Sequence, residues 1–280
     1  MRTSSFAATC KRVVNRVGLP LFDSGTDPGP SFIAFLNEAT PDSVFRGVAE
    51  ELAHATTVVS LRFADGVVMV GDRQATAGYI AERDVRKIAA ADRYCALAIS
   101  GTAATGLEFI RIAQLSFEHY EKMTGRLLSL EGKANYLSPL IYRTTTTTPF
   151  VVVPMLAGYD TARKQGRIFR YDRIGGCYEQ PNFDVIGSGT PFAESTLRLG
   201  FREGMTKDEA INLAALAVYE AGDNDPSTGG PDFVRNIFPM IVTVTENGFE
   251  ELAFEETSER FRIINQRRTA SGGRAEGDLR

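Results

Sequence analysis

The strongest pattern in the chain begins at Thr56, where a stretch without regular period gives way to dense β-forming residues. Thr57-Val58-Val59-Ser60-Leu61-Arg62 and Val67-Val68-Met69-Val70-Gly71-Asp72 are two such runs, and Phe63-Ala64-Asp65-Gly66 between them is a hairpin signal. A helix is predicted next: Thr105 and Glu108 have capping-box spacing, and Leu107, Ile110, Ala113, Leu115 and Phe117 continue an apolar face towards Met123. A second helix is expected over 134–142. Strands are expected over 150–158, over 166–172 and around Cys177, with Ile237 to Thr245 as a further β-rich run. A helix from about Lys207 to Ala221 places Ala210, Leu213, Leu216 and Ala217 on one face. Thr144 to Thr148 reads by default as a β-branched edge or loop. Strands, two helices, strands, helix, strand is an order that favours antiparallel sheets with helices outside over a βαβ repeat.

The two ends of the chain read differently. Asp23 to Pro30 is rich in breakers, and Phe32, Phe35 and Leu36 then sit at helical spacing until Pro41 ends the pattern. From Arg267, with Ser271-Gly272-Gly273, the chain reads as a flexible tail. The expected organisation is a leader over 1–55, a globular domain over 56–265 and a flexible tail over 266–280. Arg2, Lys11, Arg12 and Arg16 precede the first acid, Asp23, which suits a solvated leader or an organelle transit peptide. Ser4 to Thr9 is too short and too polar for the core of a secretory signal.

Composition narrows the function classes. The 280 residues are 43% hydrophobic and 24% charged, enough for one sizeable core or two small ones. A net charge of -4 provides no basic footprint, so no nucleic-acid partner is expected. The longest apolar run, Pro149 to Ala157, is too short to cross a bilayer, so no membrane partner is expected. Cys10, Cys95 and Cys177 are odd in number and far apart, and the histidines are only His54 and His119. Neither a disulfide framework nor a metal site follows; a reducing, cytoplasmic setting without metal or cofactor is expected.

A hairpin centred between Ala64 and Asp65 puts Thr56 opposite Arg73, with Asp72 beside it. A threonine hydroxyl is a poor nucleophile without a base, and a freed α-amino group, of pKa about 7.7–8.0, supplies one in the same residue. Lys87 lies on the next β-like stretch; pointing inward, it pairs with Asp72. Gly101 precedes a helix, where a backbone N–H is suited to holding an oxyanion. Each feature also has an ordinary reading. Paired threonines open many strands, Gly-Asp-Arg makes turns, a lysine among apolar residues snorkels, and Ser-Gly-Thr caps helices. No one of them alone carries a function.

The set together resembles one family. Thr56-Thr57-Val58-Val59, Gly71-Asp72-Arg73, Asp84-Val85-Arg86-Lys87, Ser100-Gly101-Thr102-Ala103-Ala104, His119-Tyr120-Glu121-Lys122, Ala157-Gly158-Tyr159-Asp160, Gly187-Ser188-Gly189 and Asp225 to Asp232 are similar, in order and spacing, to the β subunit of actinobacterial-type 20S proteasomes. The likeness covers about residues 56–262. It implies an α+β fold, the four-layer αββα sandwich of the N-terminal-nucleophile hydrolases. It also implies a threonine endopeptidase, made as a zymogen that cuts its own Ala55–Thr56 bond.

By that resemblance Thr56 is the nucleophile, its amine the base, and Asp72 and Lys87 set the charge beside it. Ser188, Asp225 and Thr228 hold the amine and a water, and the Gly101 N–H faces the oxyanion. Thr76 and Ala103 pair through their backbones with an extended substrate, while Ala75, Val85, Ile99 and Ala103 line the first specificity pocket. The implied partners are proteasome α subunits, further copies of this chain in stacked rings, a ring ATPase acting through the α ring, and protein substrates tagged by a small protein modifier.

Three positions depart from the family pattern. Ala55 stands where glycine usually precedes the nucleophile, Gln74 replaces a usual arginine, and Thr228 replaces a usual serine. Gln74 is shared with the related bacterial heat-shock-locus threonine peptidase, whose subunits are shorter and lack so long a leader. A non-catalytic ring subunit is a second alternative, weakened by the presence of Thr56, Asp72 and Lys87. A small-molecule amidohydrolase with the same kind of nucleophile is a third.

Overall fold

The computed structural model of the protein describes residues 56–77, 80–147 and 152–275. The leader, with its Phe32, Phe35 and Leu36 pattern and Ala55, lies outside the described residues, as do 276–280. Along the chain run β1 (Thr57–Phe63), β2 (Gly66–Gly71), β3 (Ala75–Ala77), β4 (Ile80–Glu82), β5 (Ile88–Asp92) and β6 (Cys95–Gly101). Helices α1 (Ala103–Thr124) and α2 (Leu130–Thr147) follow, then β7 (Val152–Asp160), β8 (Gln165–Tyr171), β9 (Cys177–Gln180) and β10 (Phe183–Gly187). The chain continues through α3 (Thr190–Gly200), α4 (Lys207–Asn224), β11 (Met240–Thr245), β12 (Gly248–Glu251) and α5 (Phe254–Ala275).

The strands make two antiparallel five-stranded sheets, ordered β10-β1-β2-β11-β12 and β5-β6-β7-β8-β9, with β3 and β4 a separate small hairpin. Strand alternation explains how they stack. On β1, Val58 points between the sheets and packs with Met69, Ala98, Met155 and Ile168. Its neighbours Val59 and Leu61 point the other way, onto Leu197, Ala214 and Phe261 of the helices over that sheet. The second sheet does the same, with Leu97, Ile99 and Leu156 packed on Phe109, Ile110 and Leu137. Central strands are therefore apolar on both faces, and each buried valine or leucine contributes about 1.5–3 kcal/mol. The result is the expected α+β architecture, two sheets face to face with helices on both outer surfaces. No described helix is long and apolar enough to cross a membrane.

The structure corrects several local expectations. Thr105 is inside α1; the N-cap is Thr102, and its side chain makes no capping bond. The buried face of α1 is Gly106, Phe109, Ile110, Ala113 and Phe117, whereas Leu107, Leu115 and Met123 are exposed. The threonine run continues α2 as far as Thr147. There the Thr144 and Thr145 hydroxyls donate back to the Leu140 and Ile141 carbonyls, both at 2.9 Å, so β-branched residues close a helix that Leu137 and Ile141 anchor. α5 runs through residues 266–275, where a flexible tail was expected; Arg268 ties it to Glu220 and Asp223 of α4 at 3.0 and 2.8 Å. α4 has the capping box that α1 lacks, formed by Thr206 and Glu209.

Candidate active site

Antiparallel pairing dictates where chemistry collects. Thr57 opens β1, and because β1 runs against both β2 and β10, Asp72 and Ser188 at the ends of those strands arrive beside it. In the other sheet Lys87 precedes β5, and Gly101 ends its antiparallel neighbour β6. The register matches the sequence reading: Asp72 N–H donates to Thr57 O at 3.1 Å, which sets Thr56 across from Arg73.

Asp72 is the best-supplied acceptor in this region. Its Oδ1 accepts from Thr57 N at 2.9 Å and Lys87 Nζ at 2.7 Å, and its Oδ2 from Gln74 N at 3.1 Å and Gly229 N at 3.0 Å. Lys87 is only 4% exposed and also donates to the Gln74 carbonyl. Burial pulls the Lys87 ammonium below the ordinary lysine value, with Asp72 opposing. Burial likewise pushes the Asp72 carboxyl up, against Lys87 and the Thr57 and Gly229 N–H groups. The pair is thus a charge pair whose proton is more easily given up than that of a free lysine. The Gln74 side chain reaches the Pro226 carbonyl at 3.5 Å, so the departure from arginine places no second cation there.

A second polar group lies on the other side of Thr56. Asp225 caps the end of α4, and its Oδ2 accepts from Ser188 Oγ and from Thr228 Oγ1, each at 2.5 Å. Burial pushes the Asp225 carboxyl up, but those two hydroxyls and the Ser227 N–H outweigh it and hold the group below the ordinary value. Ser188 N also donates to Thr56 O at 3.0 Å. That approach requires the glycine before it: Gly187 has φ +114°, and a Cβ there would lie 1.4 Å from Thr56 O.

Thr56, Ala75, Val85, Arg86, Lys87, Ile99, Gly101, Ala103 and Leu107 line one pocket. Seven of these are residues the sequence reading singled out, drawn from five separate segments. Ala75, Val85, Ile99, Ala103 and Leu107 are apolar walls, and the charged lining residues are Lys87, paired with Asp72, and Arg86, paired with Glu251. Thr76 lies on β3 beside Ala75 and pairs with Ala81. Leu107 and two backbone donors to Asp72, from Thr57 and Gly229, were not anticipated. Leu107 was assigned to the buried face of α1, whereas the helix turns it toward the pocket. The Gly229 N–H is a main-chain group in a loop, which no side-chain pattern reports.

These features define a two-sheet N-terminal-nucleophile sandwich with a threonine at the mouth of the inter-sheet space. The family model described as proteasome subunit matches residues 52–234. The chain is 43% identical over 244 residues to the proteasome subunit beta of Acidimicrobium ferrooxidans, covering 85% of this chain and 89% of that protein. It is 42% identical over 254 residues to that of Streptomyces griseus (87% and 90%), and 40% identical over 257 residues to that of Frankia casuarinae (88% and 94%). The chain belongs to the proteasome subunit family, among its β subunits.

Proposed function

We propose that the chain is the proteolytic β subunit of a 20S core, a threonine endopeptidase that exposes Thr56 by cutting its own Ala55–Thr56 bond. The observation that carries this reading is the convergence of Thr56, Lys87 and Gly101 on one pocket whose remaining walls are mostly apolar. In processing, Thr56 Oγ attacks the Ala55 carbonyl carbon and the C–N bond breaks. This leaves an ester on Oγ and a free Thr56 amine; water then hydrolyses the ester and releases residues 1–55 with a new carboxylate. In turnover the amine takes the hydroxyl proton, Oγ attacks the substrate carbonyl, and the amine returns the proton to the leaving nitrogen as the C–N bond breaks. Water, giving a proton to the amine, then attacks the ester, and the acid is released as that proton returns to Oγ. Lys87, held by Asp72, stabilises negative charge on Oγ. The Gly101 N–H, where β6 passes into α1, is suited to the oxyanion. Ser188, Asp225 and Thr228 orient the amine and a water. Substrate lies extended beside Thr76 and Ala103 by strand addition, and Ala75, Val85, Ile99 and Ala103 receive the side chain before the cut.

Confinement in rings with α subunits and further copies of this chain fits the surface. Leu115, Tyr120, Met123, Leu128 and Tyr136 form an apolar groove across α1 and α2, larger in character than scattered exposed residues. Delivery through a ring ATPase of substrates tagged by a small protein modifier, in the cytoplasm, completes the reading. Co-expression with a matching α subunit tests it. A particle of ring-stack size that hydrolyses peptides, and that neither cuts its leader nor hydrolyses peptides as Thr56→Ala, is expected. Normal processing and turnover in Thr56→Ala overturns the reading.

A further inference from the structure

We propose that the Thr57 side chain is a positioning residue for the Asp225 group, joining it to the Asp72–Lys87 pair through a single residue. This rests on the peptidase reading above. Thr57 and Thr56 point to opposite faces of β1 by strand alternation, so Thr57 does not line the substrate pocket. It is fully buried, and every polar atom it offers on that side is used. Its N–H donates to Asp72 Oδ1 at 2.9 Å, its Oγ1 accepts from Gly189 N at 3.0 Å, and its Oγ1 lies 2.6 Å from Thr228 Oγ1.

Counting protons fixes the direction of that last bond. A threonine hydroxyl has one proton to give. Thr228 gives its proton to Asp225 Oδ2, which as a carboxylate can only accept. Thr57 must therefore donate to Thr228. The chain reads Gly189 N–H to Thr57 Oγ1–H to Thr228 Oγ1–H to Asp225, with Ser188 donating to the same carboxylate oxygen. Reversing any link leaves a buried donor or acceptor unpaired.

Space is built to match. A Cβ on Gly189 would meet Thr57 Oγ1 at 2.5 Å and Thr228 Oγ1 at 3.0 Å, so only glycine lets its N–H come this close to the hydroxyl. Thr57 thus acts through Thr228: it holds the rotamer in which that hydroxyl points at Asp225. Thr228 carries a methyl group that narrows its rotamers further.

The test uses the assembled particle and follows kcat and KM on a fluorogenic peptide across pH. Thr57→Val keeps the shape and removes the hydroxyl; Thr57→Ser keeps the hydroxyl and loses a methyl. Loss of one net hydrogen bond predicts a kcat about 3- to 10-fold lower for Thr57→Val, with KM within about twofold and a shifted pH profile. Thr57→Ser stays within about twofold of the parent. In a Thr228→Val background, Thr57→Val adds nothing further, because its route is gone. An unchanged kcat and pH profile in Thr57→Val, or an equal loss in both backgrounds, overturns the inference. If Thr57→Val does not assemble, Thr57→Ser decides alone, and a tenfold loss there counts against it. Thr56→Ala run in parallel separates the two claims. Activity retained in Thr56→Ala defeats the peptidase reading itself, whereas an inert Thr56→Ala beside an unaffected Thr57→Val defeats only this one.

Discussion

Lys87 Nζ and Asp72 Oδ1 lie 2.7 Å apart, and both groups are almost completely withdrawn from solvent. A buried ion pair is weak evidence for stability in itself, because desolvating two charges cancels much of their attraction. Lys87 lines the same pocket as Thr56, which argues for use in chemistry.

Removing that pair separates chemistry from processing. When Thr56 is freed by another protease, Lys87→Ala and Asp72→Ala are expected to lower kcat/KM at least about 100-fold, the usual scale for a lost acid–base or electrostatic group. Each also strands a buried charge or an orphaned set of donors, so a fall in thermal stability accompanies the loss. Peptidase assay and thermal unfolding of the same particles check both effects. Near-normal turnover in Lys87→Ala with a free Thr56 removes Lys87 from the mechanism.

The pocket walls predict substrate preference. Ala75, Val85, Ile99, Ala103 and Leu107 present apolar walls to a substrate, and Arg86, which also lines the pocket, is paired with Glu251. Fluorogenic peptides with Leu, Phe or Tyr before the cut are expected to be hydrolysed faster than those with Arg or Glu. Misfit groups cost about 1–3 kcal/mol each in a pocket of this kind. A preference for Arg or Glu contradicts this account of the pocket and leaves the nucleophile untouched.

Asp184 makes stability depend on pH. It faces Ser60 across the β1–β10 pair; Ser60 Oγ and Asp184 Oδ2 are both buried without a hydrogen-bond partner, while Oδ1 accepts from Arg170 at 3.3 Å. Burial, only partly offset by Arg170, raises its pKa from the ordinary 3.8 to about 6. The folded state then binds a proton more tightly than the unfolded one, so this group's contribution is fully present below about pH 4 and is lost as pH rises through 6. Asp184→Asn is expected to gain about 1–3 kcal/mol at pH 7.5 and to flatten the slope between pH 4 and 6. Denaturant unfolding across that range measures it; an unchanged slope contradicts the assignment to Asp184.

Much of this arrangement was legible in the sequence where a single period dominated. The β1–β2 hairpin could be registered from its two β-rich runs and intervening turn, and that register alone set Asp72 beside Thr56. The inward aim of Lys87 was left conditional, since residues just ahead of a strand have no alternation to follow. α1 was misread because it is apolar on two sides: Leu115 and Met123 are 68% and 72% exposed, while the buried stripe includes Gly106. β10 and α3 went unrecognised; β10 is five residues long, and α3 begins directly after it with Pro191 in its first turn. The tie between Thr57 and Thr228 spans 171 residues of sequence and has no local signature.

The first residue of the chain in active particles tests the central claim most directly. Intact mass and N-terminal sequencing of the subunit recovered from peptide-hydrolysing particles are expected to start at Thr56, with Ala55→Gly reaching that state sooner because glycine frees the scissile bond. Full activity in particles whose subunits still carry Ala55 on Thr56 would contradict the account, because the base it assigns is the amine that this bond conceals.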